Sequence, residues 1–272
     1  EAAAARIFQL QDIEQEKAVH GAPALARHRE SIEFRGVNFR YPGVAEDTLR
    51  NINLRITAGR RVAIVGPNGS GKTTLVSLLP RLLDATGGQI LIDGHDITQV
   101  SVRSLRRQIG LVTQETVLFH ATIGENIAYG LRRPKPNAVL EASKKAFVDE
   151  FVRELPGGYD TMVGEHGATL SGGQRQRITI ARAILRDPAI LIFDEALSQV
   201  DADSEKRIQQ AIEEFCHGRT TLLIAHRFQT VIAADMIVVM DAGRIIATGT
   251  HAELLADCPL YMNLYDTQFA GG

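Results

Sequence analysis

The fold of this chain is decided by the stretch RVAIVGPNGSGKT, residues 61–73. After Arg61, the residues up to Val65 form an apolar run, and the strand from 61 to 65 is typical of one buried in the middle of a parallel sheet. Residues 71–83 follow a helical pattern, and the loop from Gly66 to Thr73 matches G-x-x-x-x-G-K-[ST]. The glycines allow backbone N–H groups to turn toward phosphate oxygens, and the N-terminus of the helix adds a partial positive charge. The stretch therefore predicts a strand, a phosphate-binding loop and a helix.

The loop also predicts individual contacts with a nucleotide. We expect Lys72 to reach the β- and γ-phosphates and the hydroxyl of Thr73 to ligate Mg²⁺. The alternative is a glycine-rich turn without function, but the pattern arises by chance in only about one per cent of chains of this length. The expected nucleotide-binding residues of the loop and helix start are Gly66, Pro67, Asn68, Gly69, Ser70, Gly71, Lys72, Thr73 and Thr74.

A second motif, ILIFDE at residues 190–195, supplies two acids at the end of an apolar strand. In a doubly wound sheet, the carboxyl ends of the strands open onto the ligand crevice. Asp194 is placed there to hold Mg²⁺ through its water shell, and Glu195 points the other way, toward an attacking water. Alone this would be an ordinary strand end, but together with a phosphate loop it indicates a magnesium site.

A third motif, LSGGQ at residues 170–174, precedes the helix that leads into this strand. One interpretation is a helix cap, with Ser171 as N-cap and Gln174 completing a capping box. The other is a second anion site, because a hydroxyl, two glycines (Gly172 and Gly173) and a helix N-terminus meet there. The cap explains the local structure but not why the motif stands sixteen residues ahead of the strand.

With the three motifs in this order, the chain resembles the nucleotide-binding domain of ATP-binding cassette (ABC) transporters over about residues 31–268. The LSGGQ motif resembles the family signature, whose Ser171 and Gly173 would cover the γ-phosphate bound to a facing protomer. The resemblance implies that Tyr41 stacks on adenine and that His226 contacts the γ-phosphate. It further implies that Gln114 touches Mg²⁺ and the attacking water, and that Asp201 crosses a dimer interface.

The resemblance is strongest to the exporter branch. VTQETVLF at 112–119 followed by TIGENI at 122–127 is similar to the segment that receives the coupling helices of exporters, and VGEHG at 163–167 is similar to the exporter X-loop. The X-loop usually carries Arg where this chain has His166. Leu197 and Gln199 depart from the usual residues after Glu195, which affects the expected packing at the dimer interface.

Composition is compatible with this assignment. The 272 residues carry a formal net charge of −2, which supplies no strong field for nucleic acid, and the short basic clusters indicate solvated faces. Two cysteines exclude a disulfide framework.

We expect residues 1–30 to be a helix and linker from a missing transmembrane domain, and residues 31–272 to be the ATPase domain. The absence of an initiating Met is consistent with a fragment of a longer protein.

The predicted fold class is α/β: a P-loop NTPase of ABC type, with a mainly parallel core sheet flanked by helices. An antiparallel β subdomain and an inserted α-helical subdomain at about residues 115–186 are predicted with it. Expected cofactors are ATP and Mg²⁺.

The resemblance implies several partners and a location. Transmembrane domains would dock between Gln114 and Asn126, and a second half, identical or different, would complete a head-to-tail dimer on the cytoplasmic face of a membrane. The alternatives are a soluble ABC ATPase acting on ribosomes or DNA, and the ATPase of an importer.

Overall fold

The computed structural model describes residues 21–113, 116–132, 134–164, 167, 169–194, 202–225 and 228–269. The strands are β1 (Ser31–Phe39), β2 (Leu49–Thr57), β3 (Arg61–Val65), β4 (Gly87–Ile92), β5 (His95–Asp96), β6 (Ile109–Val112), β7 (Ile190–Asp194), β8 (Thr220–Ile224), β9 (Met236–Asp241) and β10 (Arg244–Gly249). The α-helices are α1 (Lys72–Leu78), α2 (Val102–Arg107), α3 (Ile123–Ala128), α4 (Pro136–Lys145), α5 (Val148–Val152), α6 (Gly172–Arg186), α7 (Ala202–Cys216), α8 (Phe228–Ile232), α9 (His251–Asp257) and α10 (Pro259–Leu264).

The central sheet has six strands in the order β10-β9-β3-β8-β7-β6. The five strands from β9 to β6 pair in parallel, and β10 pairs antiparallel with β9 at one edge. Val62 and Ile64 of β3 lie in one hydrophobic cluster and Ala63 and Val65 in another, so both faces of the sheet are covered. The predicted mainly parallel core sheet is confirmed. The carboxyl ends of β3, β8, β7 and β6 consequently meet at one edge.

A second sheet is antiparallel, in the order β2-β1-β4-β5. Apolar residues oppose one another across it, as in the pairs Ile32↔Ile56 and Phe34↔Leu54. They belong to the same cluster as Leu75 and Leu78 of α1 and one face of the central sheet. The alternation of apolar residues along β1 and β2 thus forms a half-buried sheet over the phosphate-loop helix, and the antiparallel β subdomain is confirmed.

The helices α3 to α6 share a separate hydrophobic cluster. Ile178 and Ile180 of α6 are fully buried in it, and Ile208 of α7 packs into the same cluster. The inserted helical part of the predicted fold is therefore present, with its helices between residues 123 and 186. None of the helices among the described residues combines the length and the apolar character needed to cross a membrane.

The structure departs from the sequence expectations at the helix after the phosphate loop and at the linker. The helix after the phosphate loop ends at Leu78 and not at residue 83, because Pro80 cannot continue the hydrogen-bond ladder and Arg81 adopts a φ of +54°. The expected helix at residues 1–16 lies outside the described residues. The linker expected at 17–30 has no helix or strand in its described part, 21–30, but it is bonded to the domain along its length.

We predict that Ile208→Ala destabilises the whole domain, because the cluster it fills joins α7 to the helical part. Removing a fully buried Ile leaves a cavity that costs about 2–5 kcal/mol. Gln210→Ala, at an exposed position on the same helix, is the control and should change stability by less than about 0.5 kcal/mol. Urea unfolding of both variants measures the difference, and equal effects would contradict the shared core.

Candidate nucleotide-binding site

The phosphate loop is shaped by glycines that lie against other strands. Gly66 has a φ of +154°, and a Cβ built on it would stand 2.1 Å from the carbonyl oxygen of Met240 in β9. Gly71 is the N-cap of α1 with a φ of +99°, and its Cβ would stand 2.7 Å from a methyl carbon of Leu49 in β2. A side chain at either position would collide with its neighbours. The loop therefore needs these glycines for packing as well as for phosphate approach.

Lys72 is held under the loop. Its side chain is buried, with 7% of the residue exposed, and its Nζ donates hydrogen bonds to the carbonyl oxygens of Gly66 at 2.9 Å and Pro67 at 3.0 Å. Asn68, Gly69 and Thr73 are exposed around it. The ammonium group of Lys72 is thus held beside the surface where phosphates would lie. The hydroxyl of Thr73 is accessible to a ligand.

Ser70 has a buried hydroxyl oxygen with no hydrogen-bond partner among the described residues. Its backbone is fixed on both sides, because Ser70 N–H donates to the Pro67 carbonyl at 3.2 Å and Gly243 N–H donates to the Ser70 carbonyl at 3.2 Å. The turn between β9 and β10 therefore holds the loop in place.

Tyr41 lies beside the helix that follows the loop. Its hydroxyl is 3.1 Å from the hydroxyl of the buried Thr74, and its ring meets Phe39 edge-on with ring centroids 4.8 Å apart. The residue is 39% exposed, so the ring remains accessible to a stacking partner. The structure brings Tyr41 and Thr74 together at the helix that follows the phosphate loop, and stacking of the ring on adenine stays a prediction.

Asp194 ends β7 at the same sheet edge. It pairs with Ile224 of β8, which lies next to β3, so Asp194 is two strand spacings, about 10 Å, from the strand that carries the loop. The strands β6, β7 and β8 end shortly before Gln114, Glu195 and His226 in the sequence. Those three residues, and Asp201 and His166, lie outside the described residues.

The LSGGQ motif forms the start of α6. Ser171 is the N-cap: its Oγ accepts the N–H of Gln174 at 3.2 Å, and Gln174 Oε1 accepts the N–H of Ser171 at 2.9 Å. Arg175 donates to the Leu170 carbonyl at 2.6 Å, which fixes the approach to the helix. The capping box predicted from the sequence is therefore present. Ser171 is nevertheless exposed, and its hydroxyl proton is left to donate to a further acceptor.

Sequence reasoning missed a cluster next to the proposed docking segment. The rings of Phe119 and Tyr129 stack with centroids 4.1 Å apart, and Arg182 of α6 lies 5.8 Å and 5.6 Å from their centroids. Arg182 donates to the carbonyl oxygens of Asn126 at 2.8 Å and Val117 at 3.1 Å. Burial lowers the pKa of Arg182, although an arginine stays charged. The sequence signal available was an arginine within the apolar run from Ile180 to Leu185.

Comparison with known proteins decides the family. Residues 49–198 match the family model described as ABC transporter, which is more than half of the chain. The chain belongs to the ABC transporter family. Its region of similarity contains the phosphate loop, the LSGGQ motif and β7.

The relatives of this ABC domain include exporters. The chain is 51% identical to an ATP-dependent lipid A-core flippase of Alkalilimnicola ehrlichii over 99% of this chain and 46% of that protein. It is 47% identical to the flippase of that name in Salmonella typhimurium over 98% of this chain and 46% of the relative. Among solved structures, a bacterial Atm1-family ABC exporter with ATP bound matches with a TM-score of 0.90 and 43% identity, over 97% of this chain and 46% of that one. The chain thus spans about half the length of these proteins.

These findings confirm the fold and the resemblance to ATPase domains of ABC exporters. An ABC ATPase domain binds ATP, and the phosphate loop of this ABC domain is the site that its sequence and geometry indicate. The roles of individual residues, from Tyr41 and Lys72 to Glu195 and His226, stay predictions.

We predict that Gly66→Ala and Gly69→Ala differ in their effect on folding. Both glycines have a positive φ, which costs an Ala residue about 1–2 kcal/mol. Only at Gly66 does the Cβ also meet a backbone oxygen, whereas nothing lies within 4 Å at Gly69. Gly66→Ala should therefore lower the free energy of unfolding by more, as measured in urea. Equal losses would mean that the loop does not depend on β9.

Proposed function

We propose that this chain is the ATP-hydrolysing domain of an exporter, in which ATP-driven head-to-tail dimerisation of two such domains powers movement of a substrate across a membrane. The observation that carries the proposal is the common sheet edge, which brings together the phosphate loop and Asp194, with Tyr41 beside the helix that follows the loop. The names of the relatives support the exporter branch. No feature of the described residues favours an importer or a ribosome- or DNA-acting ATPase.

Nucleotide binding would use groups that are already in place. Lys72 would exchange the carbonyl oxygens of Gly66 and Pro67 for the β- and γ-phosphates, and backbone N–H groups of the loop would bind phosphate oxygens. The exposed face of Tyr41 would stack on adenine. The hydroxyl of Thr73 and the carboxylate of Asp194 are hard oxygen donors that suit Mg²⁺, which when bound supplies neutralisation of the phosphate charge.

Hydrolysis would depend on residues that follow the strand ends. We assign Glu195 the positioning or deprotonation of the attacking water, Gln114 a contact to that water and to Mg²⁺, and His226 the γ-phosphate. Charge that develops on the transferring phosphoryl group would be met by Lys72 and His226. These assignments rest on the family resemblance together with the positions of the residues just after β7, β6 and β8.

A second chain would complete each site. The loop helix α1 belongs to one hydrophobic cluster and α6, with Ser171 at its N-terminus, to another. Because the capping box uses only the acceptor side of Ser171 Oγ, the hydroxyl can still donate to a γ-phosphate. Ser171 and Gly173 of one chain would thereby cover the nucleotide of its partner, with Gly172 and Gln174 shaping the helix start. Both halves of the site look complete in this sequence, which favours a homodimer over a pair with a different half-transporter.

Transmembrane domains would dock beside the segment between Gln114 and Asn126. The docking surface comprises Val117, Phe119, Tyr129 and Met162, all of them large apolar residues that are exposed. Met162 pairs with Thr122, and Arg182 joins the surface to α6. Such an arrangement would place the chain on the cytoplasmic face of a membrane. The names of the relatives point to an amphiphilic lipid as the class of substrate.

We predict that a mixture of Lys72→Ala and Ser171→Ala chains regains ATPase activity that neither has alone. Only one composite site of the mixed dimer keeps both residues, so random pairing should restore about a quarter of wild-type turnover. Thr250→Ala is the matched control, because Thr250 caps α9 in the same way, with a capping box to Glu253, but lies outside the site. It should remain active by itself. No rescue on mixing, with specific activity independent of protein concentration, would place the whole site in one chain.

A chimaera tests the exporter function. We expect the Alkalilimnicola ehrlichii flippase to keep lipid transport in proteoliposomes when this chain replaces its matching segment. In that chimaera, Tyr129→Ser should lower transport several-fold by removing half of the stacked pair. Ile246→Ser, at an apolar residue that is equally exposed (51%) on β10, should not. A chimaera that folds and hydrolyses ATP without transport would contradict the proposal.

A further inference from the structure

Residues 23–30, here called the strap, lie along the domain without forming a helix or a strand. Leu25 and His28 are buried, and the residues beside them are exposed. An irregular segment at the surface is normally bonded to water along much of its backbone. Most backbone polar groups of the strap instead form hydrogen bonds with other parts of the domain, and the strap is anchored at three places.

The first anchor is α2 with the residue that follows it. Ser104 Oγ accepts the N–H of Leu25 at 2.9 Å. The side chain of Gln108 bonds to the strap backbone as a neighbouring strand would. Its Oε1 accepts the N–H of His28 at 2.6 Å, and its Nε2 donates to the carbonyl oxygen of Ala26 at 2.6 Å. One amide side chain thus satisfies both a donor and an acceptor of the strap backbone.

The second anchor is Asp93, in the turn between β4 and β5. Its carboxylate accepts the N–H groups of Arg29 at 2.8 Å, Glu30 at 2.9 Å and Ser31 at 3.0 Å. Burial raises the pKa of Asp93, but these backbone hydrogen bonds and the nearby His28 outweigh it, so that the pKa is lowered. The ionised carboxylate is therefore stabilised by the docked strap.

The third anchor is the amino end of β8. His28 Nδ1 lies 2.8 Å from Asp93 Oδ1, and its Nε2 lies 2.9 Å from the hydroxyl of Thr220. That hydroxyl also accepts the N–H of Gly59, just ahead of β3, at 2.9 Å. Because a carboxylate only accepts, Nδ1 carries the proton that is donated to Asp93. His28 therefore connects the antiparallel sheet to the start of the two middle strands.

We propose that the strap is a mechanical coupling element that transmits displacement of the chain ahead of residue 21 to the central sheet, anchored by Gln108, by Asp93 and, through His28, by Thr220. The reading of that preceding chain as an extension from a transmembrane domain rests on the proposed function. Gln108 precedes β6 and Thr220 begins β8, so both lie at the amino ends of central strands, opposite the phosphate loop, and Asp93 is linked to Thr220 through His28. A pull on the strap would move the antiparallel sheet, α2 and the central sheet as one body. The strap itself would not obstruct the nucleotide site, which lies at the other end of the strands.

The first experiment measures hydrogen exchange of the amides of residues 25–31 in the 272-residue chain. Asp93→Asn keeps a residue type that tolerates the φ of +50° at this position but removes the charge, and exchange should become about tenfold faster. Asp96→Asn is the matched control, since Asp96 lies in β5, accepts the N–H of Thr98 and makes no hydrogen bond to the described residues of the strap. Gln108→Ala is the second variant, should Asp93→Asn fail to fold. Unchanged exchange in a folded variant would overturn the anchoring.

The second experiment measures force. The chain is held by its N-terminus and by a cysteine introduced as Ala252→Cys, at an exposed site on α9, and is stretched with optical tweezers. Wild type and Asp96→Asn should resist until the sheet itself unfolds. Asp93→Asn should show a separate early extension of less than about 3 nm, the full contour length of the strap, with ATP affinity unchanged. An early extension at the same force in all three chains would refute a coupling role. Neither measurement depends on transport, so failure of the chimaera alone would count only against the proposed function.

Discussion

The close approach of the Met240 carbonyl oxygen to Gly66 is the constraint on which the nucleotide site depends. It exists because β9 lies next to β3 in the sheet, so that the last residues of β9 stand beside the first residue of the loop. The N–H of Gly243, in the following turn, adds a hydrogen bond to Ser70. The loop is consequently held by strands that are far away in sequence. The backbone of the loop is thus held in place without a ligand, which reduces the ordering that binding would otherwise require.

The parallel sheet carries different groups at the two ends of its strands, which are here called its carboxyl edge and its amino edge. At the carboxyl edge, strand ends leave polar groups beside the phosphate loop, and Asp194 is one of them. At the amino edge, Thr220 and Gly59 are joined to His28, and through it to Asp93. A sheet buried on both faces is stiff, because close-packed interiors resist deformation. Displacement applied at one edge would therefore reach the other without being absorbed between them.

Helix α6 connects two other surfaces, the LSGGQ motif at its start and the aromatic cluster near its end. Its N-terminal residue Ser171 is exposed and capped, its middle residues fill the core of the helical part, and Arg182 near its end supports the stacked rings of Phe119 and Tyr129. A helix of 15 residues is about 22 Å long. Since its middle is fixed by packing, the aromatic surface and Ser171 are held at the two ends of one packed helix.

The sequence by itself determined the parts of this protein whose physics is local. The apolar run of β3, the glycine pattern after it, the acid at the end of β7 and the capping box of Ser171 and Gln174 follow from short-range sterics and hydrogen bonding, and all are present in the structure. The alternation in β1 and β2 likewise indicated an antiparallel sheet. The predicted helix after the loop is too long, because a periodic pattern carries no information about the conformation of Arg81.

Only the tertiary structure decided the rest. His28 and Thr220 are 192 residues apart in sequence, yet the His28 ring joins Thr220 to Asp93, and Gln108 bonds to the His28 backbone. Arg182 finds its partners 56 and 65 residues away. No sequence period marks such residues, because a single buried polar side chain is placed by the packing of separate elements. Its partners are specified by the requirement that buried donors and acceptors be satisfied, and that requirement acts only once the chain has folded.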